Sequence, residues 1–147
     1  CGSNSNAGNF SAYINGGTTL EVYNRGVGPA LYTQGGFSLS TNTWYHIAVL
    51  RDSNTMKLFI DGVQQGSGST LNYTFYSVGT AAIGADSSGG GYNFQGYIDD
   101  FRVSKGAARY TGNFTPSTSA LVDDINTSLL CHFEGSNGST SILDDNT

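Results

Sequence analysis

Two apolar runs lie almost back to back near the middle of the chain, Trp44-Tyr-His-Ile-Ala-Val-Leu-Arg51 and Met56-Lys-Leu-Phe-Ile-Asp61, separated only by Asp52-Ser-Asn-Thr55. Short polar side chains of that kind bend a backbone by hydrogen-bonding their own neighbours, so the pattern predicts a β-hairpin. Neither run alternates strictly between apolar and polar positions. Both strands are therefore expected to be covered on two faces, as in a sandwich of two sheets. A second hairpin is predicted from residues 10–14 and 19–23, which flank Asn15-Gly16-Gly17, a turn sequence that accepts positive φ.

The rest of the chain reads as short strands and many turns. Residues 30–33 and 37–39 are strand candidates, Asp61-Gly62 makes a tight turn into Val63, and residues 66–80 form a hydroxyl-rich loop pinned by Tyr73, Phe75 and Tyr76. Residues 81–85 are a small-residue strand and residues 86–91 a glycine-rich loop. Residues 94–103 predict a long strand with Phe94, Gly96, Ile98 and Asp100 on one face and Tyr97, Asp99, Phe101 and Val103 on the other. Residues 106–110 could make one helical turn, 113–119 read as a linker, 128–134 as a last strand and 136–147 as a polar tail. A faint echo links residues 121–127 with 142–147, both carrying an Asp-Asp pair, but no repeat runs through the body.

Composition agrees with an all-β chain. It holds 21 Gly, nine Tyr and eight Phe in 147 residues, enough for one domain, while good helix formers are scarce. Charged residues make up only 12%, so hydroxyls and amides solvate the surface, as is common on secreted and virion proteins. The net charge is −5, and the six basic residues are scattered at Arg25, Arg51, Lys57, Arg102, Lys105 and Arg109. Nucleic-acid binding, which needs a basic stripe at the phosphates, is set aside. No apolar run approaches the roughly 20 residues of a membrane span.

The two cysteines, Cys1 and Cys131, leave three readings open: unrelated free thiols, a disulfide between them, or an N-terminal Cys1 carrying a lipid. Sequons occur at Asn9, Asn72, Asn113, Asn126 and Asn137, as chance allows in so Asn/Ser/Thr-rich a chain. A sugar site pairs an aromatic platform with amides and carboxylates, because a sugar presents both C–H faces and hydroxyls. Tyr92, Asn93, Tyr73, Tyr76 and Tyr32 lie in or beside loops and are the ligand-binding candidates; plugging the ends of the sandwich is their structural alternative.

Three segments carry a resemblance: residues 42–51 followed by Leu58-Phe-Ile-Asp-Gly-Val63; Ala82-Ile-Gly-Ala85; and Gly96-Tyr-Ile-Asp-Asp-Phe-Arg-Val-Ser104. With Ala108-Arg-Tyr110 and Asn113-Phe-Thr-Pro116, they make residues 8–118 similar to the concanavalin A-like lectin/glucanase superfamily. The likeness is to its laminin G-like jelly-roll modules, of the type found in bacteriophage tail and virion proteins and in bacterial surface proteins. The resemblance implies a two-sheet antiparallel jelly roll with at most one helical turn. Such modules open with a strand like Leu-Leu-His-Phe-Asp-Gly, whereas here the similar Leu129-Leu-Cys-His-Phe-Glu-Gly135 comes late. The chain is accordingly divided into a sandwich body, 1–120, and a C-terminal segment, 121–147. The strand in that segment closes this sandwich, is donated to a neighbour, or begins a following module. A sandwich short of a strand leaves an open edge that invites another chain.

Glucan-cleaving relatives use a Glu-x-Asp-x-x-Glu strand. The only glutamates here are Glu21 and Glu134, and adjacent Asp99 and Asp100 point to opposite faces, so no catalytic residue is expected. His46 and His132 sit within apolar strands and read as packed or hydrogen-bonded histidines. The resemblance also implies calcium in some relatives, held by loop oxygens; Asp86 and Asn93 with Asp99 or Asp100 are the metal candidates, the alternative being that Asp86 caps a turn while Asp99 or Asp100 pairs with Arg102 or a backbone amide. The expected function is a non-catalytic extracellular or virion-surface module for adhesion or glycan recognition, with or without calcium. The alternative is a structural subunit of a virion decoration or filament that contacts copies of itself.

Overall fold

The computed structural model describes residues 9–17, 19–25, 37–70, 81–85, 91–136, 138–139 and 141–145. Among these residues the chain is all-β with no helix: β1 (Asn9–Asn15), β2 (Thr19–Arg25), β3 (Ile47–Asp52), β4 (Thr55–Ile60), β5 (Val63–Thr70), β6 (Phe101–Ser104) and β7 (Thr127–Cys131). All pairing is antiparallel, as β1-β2, β3-β4-β5 and β6-β7.

Local sequence dictates the turns. β1 and β2 close in register from Asn15↔Thr19, with Gly16 at φ 59° and Gly17 at φ 85°. β3 and β4 meet at Asp52↔Thr55, where Ser53 takes φ 56° and Arg51 donates from Nε to the Ser53 carbonyl at 2.8 Å. Between β4 and β5 only Asp61 (φ 49°) and Gly62 (φ 77°) intervene, the double positive φ that an Asp-Gly hairpin turn needs. Gly62 is required twice over, since a Cβ there would collide with the carbonyl of Phe114.

β4 is the centre of the molecule. Met56, Leu58 and Ile60 face Leu20 and Val22 of β2, and Ile14, Phe37, Leu39, Tyr45 and Val49 pack around them. On the reverse face Phe59 is fully buried against Tyr110 and Phe114, whose rings stack 3.5 Å apart at 6°. This two-sided cover is why the run 56–61 lacks alternation. Residues 113–119, read from sequence as a linker, instead begin with this packing: Phe114 N donates to the Gly62 carbonyl (2.9 Å), and Gln64 N to Asn113 Oδ1 (2.8 Å).

The second half departs from expectation. The long strand over 94–103 shrinks to β6, because Asp100 takes φ 49° and turns the chain just before it. The strand over 81–85 survives only as a bridge from Ala85 to Asn93, and the 106–110 segment forms no helical turn. There Arg109 is drawn out to Asp124 by two bonds of 2.7 Å, with Ser104 Oγ and Thr127 Oγ1 completing the clamp. β7 pairs with β6 of the same chain, from Phe101↔Cys131 to Ser104↔Thr127. The polar tail is tied down as well: Leu130 N donates to Asp144 Oδ1, His132 N to Asp145 Oδ2, and Asp145 N to the Leu130 carbonyl. Cys131 is a buried free thiol, while Cys1, the other half of the disulfide weighed above, lies outside the described residues.

Candidate functional site

Residues 91–99 form an exposed shelf on the body of the molecule. Its base is fixed by the backbone: Asn93 bridges Ala85, Phe94 N donates to the Gly84 carbonyl at 2.8 Å, and Asn93 N to the Gly91 carbonyl at 3.1 Å. Phe94 folds over Gly96, where a Cβ would come within 2.7 Å of the ring. Tyr92, 79% exposed, stands next to Asn93. Tyr97 is 86% exposed and lies beside Trp44, 66% exposed, with ring centroids 6.5 Å apart at a tilt of 38°. Of the ligand-binding candidates the structure thus describes Tyr92 and Asn93, while Tyr32, Tyr73 and Tyr76 lie outside the described residues.

Trp44 and Tyr97 are the residues that sequence reasoning missed. Both were read as aromatic positions of core strands. β3 begins only at Ile47, however, and the segment around Tyr97 is not a strand, so neither ring is carried into the core. No local signal separates a strand aromatic from a shelf aromatic; the difference lies in what packs on top.

The acidic candidates are committed elsewhere. Asp99 Oδ1 accepts from the backbone N–H of Asp100 at 2.9 Å. Asp100 Oδ1 lies 2.5 Å from His132 Nδ1, a contact that pushes the imidazole pKa upward; Asp145 and Glu134 add to it. Of the two partners weighed from sequence for Asp99 and Asp100, a backbone amide is the one Asp99 takes, while Arg102 donates to the Val122 carbonyl. Asp86 lies outside the described residues, and among the described ones no three His, Cys, Asp or Glu side chains gather as a metal cluster.

Glu21 and His46 are both engaged in packing or hydrogen bonding. Glu21 has both oxygens occupied, Oε1 by the Asn15 amide at 2.9 Å and Oε2 by the Tyr13 hydroxyl at 2.5 Å, which hold its carboxyl below the usual range. That leaves it in the hairpin rather than in any pair with a second acid. His46 sets its ring edge-on to Tyr110 and Phe114, and its Nδ1 has no partner among the described residues. It packs just before β3, which begins at Ile47, and not within a strand. Near the C-terminus a cavity of about 170 Å³ is lined by Phe133, Glu134, Ser136, Ser139, Ser141 and Ile142.

An all-β body with its chemistry confined to loops and shelves agrees with what a comparison of the sequence with known families finds. The family model Laminin_G_3, described as the concanavalin A-like lectin/glucanases superfamily, matches residues 2–109. No curated protein and no solved structure matches the chain. Strand pairing, buried centre and family match converge: the chain belongs to the concanavalin A-like lectin/glucanase superfamily, as a laminin G-type β-sandwich module.

Proposed function

We propose that the protein is a non-catalytic recognition module that takes up a glycan at the shelf bearing Tyr92 and Asn93, on a virion or an extracellular surface. Membership of a carbohydrate-binding or adhesion-type family supports the general class. The observation that carries the site is Tyr92, an aromatic ring left 79% exposed next to an exposed amide whose backbone is pinned by the Ala85 bridge. An exposed ring can stack on the C–H face of a pyranose while the Asn93 amide takes a hydroxyl. Catalysis finds no support in the described residues, whose Glu21 is engaged in a hairpin.

A glycan array probed with the wild-type chain and with Tyr92→Ala, each with and without chelator, tests this reading. Binding that is lost in the variant supports the site, and the chelator arm decides whether calcium assists. Binding retained by the variant places the site elsewhere; no binding in any arm removes the lectin reading. One observation favours a second reading, a structural subunit of a virion decoration or filament. Large apolar side chains, Trp44, Ile47 and Tyr97 among them, are left exposed.

A further inference from the structure

Two aromatic pairs in the molecule are built differently. Tyr110 and Phe114 lie flat on one another, 3.5 Å apart at 6°, and Phe59 packs against both, so their faces are taken up inside the protein. Trp44 and Tyr97 stand 6.5 Å apart at a tilt of 38°, an arrangement in which neither ring lies flat on the other. Both remain largely exposed. Exposed aromatics scattered singly need no explanation, but two held side by side mark a surface built to receive something.

Anchored backbone presents both rings. Beside Trp44, the Tyr45 hydroxyl accepts from Ser40 N at 2.9 Å, His46 N donates to Asp61 Oδ1 at 2.8 Å, and Asp61 N donates to the His46 carbonyl at 2.8 Å. Just before Tyr97, Phe94 folds over Gly96; just after it, Asp99 caps the turn by accepting from Asp100 N, where φ is 49°. Rings carried on backbone fixed in this way lose little freedom when a ligand arrives.

Charge and reach narrow the ligand. Residues 40–46 and 91–98, which carry the rings, contain no Lys or Arg, and their exposed polar side chains are the neutral Asn42, Thr43, Asn93 and Gln95. A sulfated or sialylated sugar would meet no basic side chain from these segments and would be repelled at long range by a chain of net charge −5. An anionic membrane surface, which also attracts exposed Trp and Tyr, is disfavoured by the same charge. Tyr92 and Tyr97 are five positions apart, so their Cα atoms lie within about 18 Å of each other. We propose that Trp44 and Tyr97 form a second sugar-binding platform within reach of Tyr92, and that the ligand is a neutral oligosaccharide laid over both, not a single or an acidic sugar. The inference rests on the glycan reading above and narrows it to a ligand class.

Titration with neutral homo-oligosaccharides of the cello-, laminari-, malto- and chito-series, from disaccharide to hexasaccharide, and with sulfated forms of the same oligomers tests this. Trp44 is the single tryptophan of the chain, so its emission reports on this platform. The expected result is that, within a series that binds, affinity rises about tenfold or more with length while Trp44 emission moves to shorter wavelength, and that the sulfated form binds about tenfold more weakly. Tyr97→Ala keeps the tryptophan and the melting temperature; it should remove the gain from length and leave disaccharide binding unchanged. Equal affinity at every length, tighter binding of the sulfated form, or a Tyr97→Ala chain that holds long oligomers as the wild type does overturns the inference and leaves the Tyr92 site standing. Trp44 emission that shifts with the chain's own concentration, without sugar, gives the pair to a second copy and overturns it as well. So does a chain that binds none of the neutral oligomers; only an array that captures no glycan at all removes the reading on which it rests.

Discussion

The β3–β4 hairpin and the 91–103 segment are both rich in large apolar residues, and the molecule treats them in opposite ways. In the first, every large residue of β4 is sealed, Met56, Leu58 and Ile60 against β2 and Phe59 against Tyr110 and Phe114. In the second, Tyr92 and Tyr97 stand in solvent and only β6 joins a sheet. The hairpin makes its partners locally, through the turns at Ser53-Asn54 and Asp61-Gly62, and is thereby delivered whole to the core. Among the described residues the 94–103 segment has only one local backbone bond, from Phe94 N to the Gly84 carbonyl. It waits for β7, separated from β6 by residues 105–126, and pairs over four residues only. Apolar content alone does not bury a strand; a partner within reach does.

The largest effect expected from breaking this contrast is at Phe59. Phe59→Ala removes a fully buried ring packed against the stacked pair Tyr110 and Phe114 and should cost about 3–5 kcal/mol in urea unfolding, whereas Tyr97→Ala should change stability by less than about 0.5 kcal/mol. Gly62→Ala comes next. It forces a Cβ into the Phe114 carbonyl at φ 77°, and a loss of about 2–3 kcal/mol in the same measurement is expected.

How much of this was legible beforehand follows from the same contrast. Asn15-Gly16-Gly17 and Asp61-Gly62 are local signals, and both turns sit where their side chains and φ angles require. The covering of Phe59 was readable only as a missing alternation, because the cover comes from residues some fifty positions away, Tyr110 and Phe114. Residues 113–119 looked like a linker because Thr, Pro and Ser dominate them; one phenylalanine decides otherwise. Nothing in the sequence announces the positive φ of Asp100, which cuts the predicted long strand short. Asp100 is held there by long-range contact, its carboxylate reaching His132. At the site, the loop aromatic Tyr92 was legible from its glycine-rich surroundings, but Trp44 and Tyr97 carried only a core-like pattern.

A smaller effect sharpens the account of that second region. His132 faces the carboxylates of Asp100, Asp145 and Glu134, and Asp100 above all raises its pKa over the ordinary 6.5. The folded chain therefore binds this proton more tightly than the unfolded one. Its stabilisation is complete below pH 6.5 and is lost as pH rises through the raised folded value. Thermal melts should show a fall in melting temperature on the alkaline side that His132→Gln flattens. On the acid side, Arg109 holds the Asp124 carboxyl far below the usual range. That contribution is present above the ordinary carboxylate pKa and is lost as pH falls through the depressed one, a loss that Asp124→Asn should remove. The smallest expected effect on stability is at Tyr92→Ala, which should leave the melting curve unchanged while abolishing glycan capture.

Amide hydrogen exchange tests the contrast most directly. The account predicts that the amides of Met56, Leu58 and Ile60 exchange only through global unfolding, while those of Tyr92, Gln95 and Tyr97 exchange orders of magnitude faster under the same conditions. Equal protection of the two sets, or rapid exchange within β4, would contradict it.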